Sequence, residues 1–118
     1  MRGLDISEQQ LDGDWTSLKV DGEIDLATVD DLSAAIARVQ ESDGSNLIVD
    51  LTTTEFMDST GLKTLVIANR EFTESGRSFA LAIKPGPIAR LIELSGVDST
   101  IRIVGDIGDL VGDPTTTA

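Results

Sequence analysis

The sequence predicts a small α/β domain built on a mixed, mostly parallel β-sheet. Three observations lead there. The apolar residues switch along the chain between a period of two and a period near 3.6, so strand and helix signals alternate. After the first two strands, every further strand is reached through a helical stretch, and parallel neighbours need such long connections. The run Leu47-Ile48-Val49-Asp50-Leu51 is almost continuously apolar, as expected of a central strand covered on both faces. At 118 residues, 40% of them hydrophobic, the chain is expected to form one domain over 1–118 with one real core.

Each element follows from local pattern. Leu4 and Ile6 alternate with polar residues, Asp12-Gly13-Asp14 is turn-like, and Trp15 to Val20 reads as a second strand. Leu18 and Val20 share one face of it and Trp15 falls on the other, so the first two strands form an antiparallel hairpin. Asp21-Gly22-Glu23-Ile24-Asp25 breaks the pattern. Thr28 stands three residues before Asp31, a capping-box spacing, and Val29, Leu32, Ile36 and Val39 give the next helix its apolar stripe. That helix fades through Glu41, Ser42, Asp43 and Gly44, and the central strand follows. Leu62, Leu65, Val66 and Asn69 define a second helix, expected over 62–72, with Gly76 beyond its end. Phe79 to Ile83 is a strand. Pro87 suits a first helical position, and Ile88, Leu91 and Ile92 form a short helix stopped by Gly96. Ile101 to Val104 is the last strand, and Ile107 to Val111 one further helical turn. The ordered domain is thus expected over about 4–111, with a polar, mobile tail at 113–118.

Composition excludes several functions. The net charge of −12 and nine scattered Lys and Arg residues oppose a nucleic-acid partner, which demands clustered cations. The same charge opposes an anionic membrane surface and suits a basic protein surface. Without cysteine or histidine there is no disulfide, thiolate nucleophile, Cys/His zinc site or Ser-His-Asp base. The beginning has no signal-peptide h-region, and no apolar run approaches the roughly 20 residues of a membrane helix. A cytoplasmic location and no membrane insertion are expected. Walker A, GxGxxG and EF-hand patterns are absent. Gly105, Gly108 and Gly112 read as turns, and Asp12, Asp14, Asp30 and Asp31 as turn or cap residues, so no metal or cofactor is expected and a small hydrolase or nucleotide-binding enzyme is disfavoured.

One stretch is different in kind. In Glu55-Phe-Met-Asp-Ser-Thr-Gly-Leu-Lys-Thr-Leu65, a carboxylate and two hydroxyls crowd the junction before a helix. A cap needs one such residue, and Asp58, Ser59 and Thr60 offer three. Either they only cap the helix, or one hydroxyl is modified.

With "LIVDLTTT" before "FMDSTGL", "GEID" upstream and "LIELSGV" downstream, the chain resembles, from about Leu4 to Val111, the STAS domain of bacterial anti-sigma factor antagonists. The resemblance implies a small α/β fold with helices mainly on one face of the sheet. It implies a non-enzymatic switch. Ser59, directly after the aspartate, is the phosphorylated residue, with Thr60 as the alternative hydroxyl. An anti-sigma factor acts as the serine kinase and carries the ATP. The unmodified antagonist binds that factor and frees the sigma factor, and a serine phosphatase restores it. Asp58 would orient the turn and hold the acceptor hydroxyl, Gly61 would let a partner backbone approach, and Gly22, Glu23, Ile24 and Asp25 would lie beside the site. With Asp58, Ser59, Thr60, Gly61, Leu62 and Lys63 they make up the expected partner surface. Lys63 stands where many members carry a small residue. The competing reading is a constitutive STAS subunit of a lipid-transport or stress-signalling complex.

Overall fold

The computed structural model describes residues 3–42 and 44–111, so the expected tail at 113–118, Gly112 and Asp43 lie outside it. The chain forms β1 (Asp5–Leu11), β2 (Trp15–Ile24), α1 (Val29–Glu41), β3 (Asn46–Asp50), β4 (Thr54–Met57), α2 (Ser59–Glu74), β5 (Phe79–Ala82), α3 (Pro87–Ser95), β6 (Arg102–Val104) and α4 (Ile107–Val111), with a 3-10 turn at Val97–Ser99. The sheet runs β1-β2-β3-β5-β6. β1 and β2 are antiparallel, and the other pairs are parallel. β3, flanked on both sides and buried through Leu47, Ile48 and Val49, is the central strand its composition predicts.

The two layers are unequal. α1, α2 and α3 cover one face, where Leu18, Val20, Leu32, Ile36, Leu65 and Phe72 are among the residues closing the main core. Ile48, Ala80 and Ala82 point to the other face, where Leu110 of α4 covers them, and half-buried Trp15 packs against this smaller cluster. Arg77 ties α1 to α2. Its guanidinium donates to the carbonyl of Gln40 at 2.8 Å, near the end of α1, and stacks 4.8 Å from the centre of the Phe72 ring.

Two departures from the sequence reading matter for the site. Asp21–Asp25 does not end β2, which runs on to Ile24. Gly22 takes φ +115° at an irregularity where β2 changes partner, from β3 along Trp15–Lys19 to β4 along Gly22–Ile24. β4 itself was not expected as a separate strand. Its start is fixed by the Thr54 hydroxyl, which donates to the Val20 carbonyl at 2.7 Å. β4 therefore brings the 55–65 stretch alongside the end of β2.

Candidate functional site

β2 and β4 end together. Ile24 is paired with Met57 across the parallel ladder, and the Asp58 amide donates to the Ile24 carbonyl at 3.1 Å. Two strand-to-helix junctions therefore leave the sheet side by side, and they are built alike.

At the second junction Asp58 has extended backbone and caps α2. Its carboxylate accepts from the Thr60 amide at 2.9 Å and the Gly61 amide at 3.4 Å. The Thr60 hydroxyl donates to the same oxygen at 2.5 Å. The Thr60 hydroxyl first, and then the Thr60 and Gly61 amides, hold the Asp58 carboxyl below the usual carboxylate range, against the opposing effect of partial burial. Ser59 is the first residue of α2 and is exposed. Among the described residues, no hydrogen bond engages its hydroxyl. The expectation that Asp58 holds the Ser59 hydroxyl is therefore corrected: Asp58 holds that of Thr60.

The first junction repeats the device. The Asp25 carboxylate accepts from the Ala27 amide at 2.9 Å and the Thr28 amide at 3.2 Å, and the Thr28 hydroxyl lies 3.3 Å from it. The Asp25 carbonyl accepts from Val29, as that of Asp58 does from Leu62. The expected capping box at Thr28 and Asp31 does not form. Thr28 has helical backbone, and its hydroxyl turns back to donate to the Glu23 carbonyl at 2.7 Å, while Asp31 accepts from the Leu4 amide. Asp25, three residues earlier, caps the turn at 26–28 that leads into α1.

The structure brings the ten expected partner residues together but divides them. Ile24, Gly61 and Leu62 are buried, so they shape the surface from beneath. Gly61 is small for an internal reason: a Cβ there would stand 2.6 Å from Ile24 Cγ2 and 2.7 Å from Met57 Cγ. Internal packing alone therefore calls for glycine at this position. Gly22, Glu23, Asp25, Asp58 and Thr60 are half-buried, and Ser59 and Lys63 are exposed. Lys63, four residues after Ser59, shares its side of the helix. The sequence reading missed Leu26 and Phe56, apolar yet 77% and 47% exposed beside these junctions. Their positions one residue after a capping Asp and within a β-branched and aromatic run were the available signals.

Among the described residues there is no acid cluster that could hold a metal ion, and no helix long and apolar enough to cross a membrane. A cavity of about 830 Å³ between α3 and β6 is lined by none of the ten expected partner residues.

Residues 6–110 match the STAS domain family. The chain belongs to the STAS-domain anti-sigma factor antagonists. It is 34% identical over 92 residues to the anti-sigma-F factor antagonist RsfB of Mycobacterium tuberculosis, covering 78% of this chain and 75% of that one. It is 30% identical over 109 residues to the anti-sigma-B factor antagonist of Listeria monocytogenes, covering 92% and 96%. The crystal structure of an anti-sigma factor antagonist from Mycobacterium paratuberculosis superposes with a TM-score of 0.83 at 29% identity, covering 93% of this chain and 95% of that one. Membership in this family makes the chain a regulatory binding protein rather than an enzyme, and anti-sigma factors are the partners of such antagonists.

Proposed function

We propose that this STAS domain is a cytoplasmic partner switch controlled at Ser59. Unmodified, it binds a cognate anti-sigma factor that is also a serine kinase, and the sigma factor is released. Phosphorylation of Ser59 ends that binding, and a serine phosphatase restores it. ATP is held by the kinase, and this chain needs no cofactor.

One observation carries the choice of residue: the Ser59 hydroxyl is exposed and unbonded, whereas that of Thr60 is committed to Asp58. A kinase meets a free nucleophile at 59 and would have to break a charge-assisted hydrogen bond at 60. A phosphate adds about −1.5 to −2 charge. The N-terminus of α2 suits that charge, and Lys63 one turn along can pair with it, so the fold tolerates the modification. A partner packed closely on Ser59 would instead meet added bulk and a charge to be desolvated, at a cost of several kcal/mol.

The test is incubation with the anti-sigma factor kinase encoded nearest this chain, with ATP, followed by mass spectrometry and calorimetry. One phosphate is expected, on Ser59, with weaker binding afterwards. Ser59→Ala should bind and resist modification. Phosphate on Thr60 would reassign the residue. No phosphate from any co-encoded kinase would favour a constitutive subunit.

A further inference from the structure

The two junctions place Leu26 and Ser59 in equivalent positions. Each directly follows a capping aspartate whose carboxylate accepts the amides two and three residues on. Each stands at the end of one of two adjacent parallel strands, just past the Ile24–Met57 pair. Both therefore face the same end of the domain, side by side. Leu26 is 77% exposed. A single exposed leucine is ordinary on a protein surface. This one is held on a rigid turn: Asp25 accepts two amides, and Thr28 both receives the Asp25 amide and donates to the Glu23 carbonyl. A large apolar side chain presented on a pre-ordered backbone loses little entropy on docking.

We infer that Leu26 is an apolar anchor for the anti-sigma factor, seated in a notch of the partner whose surroundings are basic. Charge selects that occupant. Glu23, Asp25 and Glu55 line one depression beside the turn, Asp58 is ionised on the neighbouring junction, and the chain as a whole carries −12. Such a rim steers a cationic protein face toward the anchor and repels an acidic one. Phe56, exposed on β4 and in register with Glu23, is a second exposed apolar residue on the strand pair that ends at these junctions. With the anchor next to Ser59, a phosphate there obstructs seating without any change in the fold. This inference rests on the proposed partner switch and adds the residue that anchors it.

Leu94 supplies an internal control. It is equally exposed, at 77%, but lies near the end of α3, which joins parallel β5 and β6 and so runs back from the C-terminal ends of the strands toward their N-terminal ends. Affinity for the purified anti-sigma factor encoded nearest this chain is measured by calorimetry. The proteins are the unphosphorylated wild type, Leu26→Ser, Leu26→Met, Leu94→Ser and Ser59→Glu, each checked by circular dichroism. Leu26→Ser should weaken binding at least about tenfold, while Leu26→Met and Leu94→Ser stay within about twofold. If Leu26→Ser binds like wild type while Ser59→Glu binds weakly, the anchor is wrong and the switch stands. If Leu26→Ser is weak and Ser59→Glu is not, the anchor stands and the switch falls. Equal losses in Leu26→Ser and Leu94→Ser overturn the anchor, and no binding by wild type overturns both.

Discussion

The β2-to-α1 and β4-to-α2 junctions use one local device and present opposite chemistry. In both, an aspartate caps the coming turn with the same pair of amides and a threonine hydroxyl meets its carboxylate. They differ in what stands on the frame. The exposed position is Leu26 in one and Ser59 in the other, and the third residue after the aspartate is Thr28 in one and Gly61 in the other. Thr28 has a carbonyl to reach, that of Glu23, so a hydroxyl is useful there. Gly61 lies against Ile24 and Met57, where even a methyl group does not fit. The hydrogen bonds thus set the backbone of both junctions, packing decides which side chains can sit inward, and the outward positions are left open to function.

The largest effect should come from the packed side of this comparison. Gly61→Ala forces a methyl group against two buried side chains and should cost about 1–3 kcal/mol, read as a lower urea midpoint with unchanged slope. An unaltered midpoint would mean that α2 can shift off the strands, and the tight approach at Gly61 would then explain nothing.

The caps come next. Asp25→Ala and Asp58→Ala should each cost about 0.5–2 kcal/mol, with Asp58→Ala the costlier because it also strips the Thr60 hydroxyl of its acceptor, whereas the Thr28 hydroxyl keeps the Glu23 carbonyl. A smaller cost at Asp58 than at Asp25 would break the comparison of the junctions. Acid sharpens the test for Asp58. Its carboxyl lies lower in the folded chain than in the unfolded one, so its contribution is complete above about pH 4 and is lost as pH falls through the lower folded value. The difference between wild type and Asp58→Ala in urea unfolding should be constant near neutrality and shrink below that point.

The smallest effect separates the two neighbouring hydroxyls. Thr60→Val removes the donor to Asp58 and should cost about 0.5–1.5 kcal/mol. Ser59→Ala removes a hydroxyl with no described partner and should stay within about 0.5 kcal/mol of wild type in thermal or urea unfolding. A loss at Ser59 as large as that at Thr60 would make Ser59 a structural residue, contrary to the free hydroxyl seen here.

Much of this was legible in the sequence because it is local or periodic. Apolar spacing gives the stripes of α1 and α2, the turn glycines and prolines bound α3, and the unbroken run at 47–51 gives the central strand, since each depends on near neighbours or on which face must be buried. Asp-Ser-Thr-Gly at the head of a helix, with its flanking segments, also marked the candidate site and its family. Other features needed the folded chain. That β2 continues through Gly22 follows from the arrival of β4, more than thirty residues later in the sequence. Thr28 and Asp31 have capping-box spacing, yet the Glu23 carbonyl and the Leu4 amide claim their side chains. Local pattern specifies which groups can bond, whereas the choice among partners is made by whichever distant segment the fold brings within reach. Which of Ser59 and Thr60 stays free is set locally, by the Asp58 cap that takes up the hydroxyl two residues on. The placement of Leu26 beside Ser59, by contrast, needs two strands to end in register.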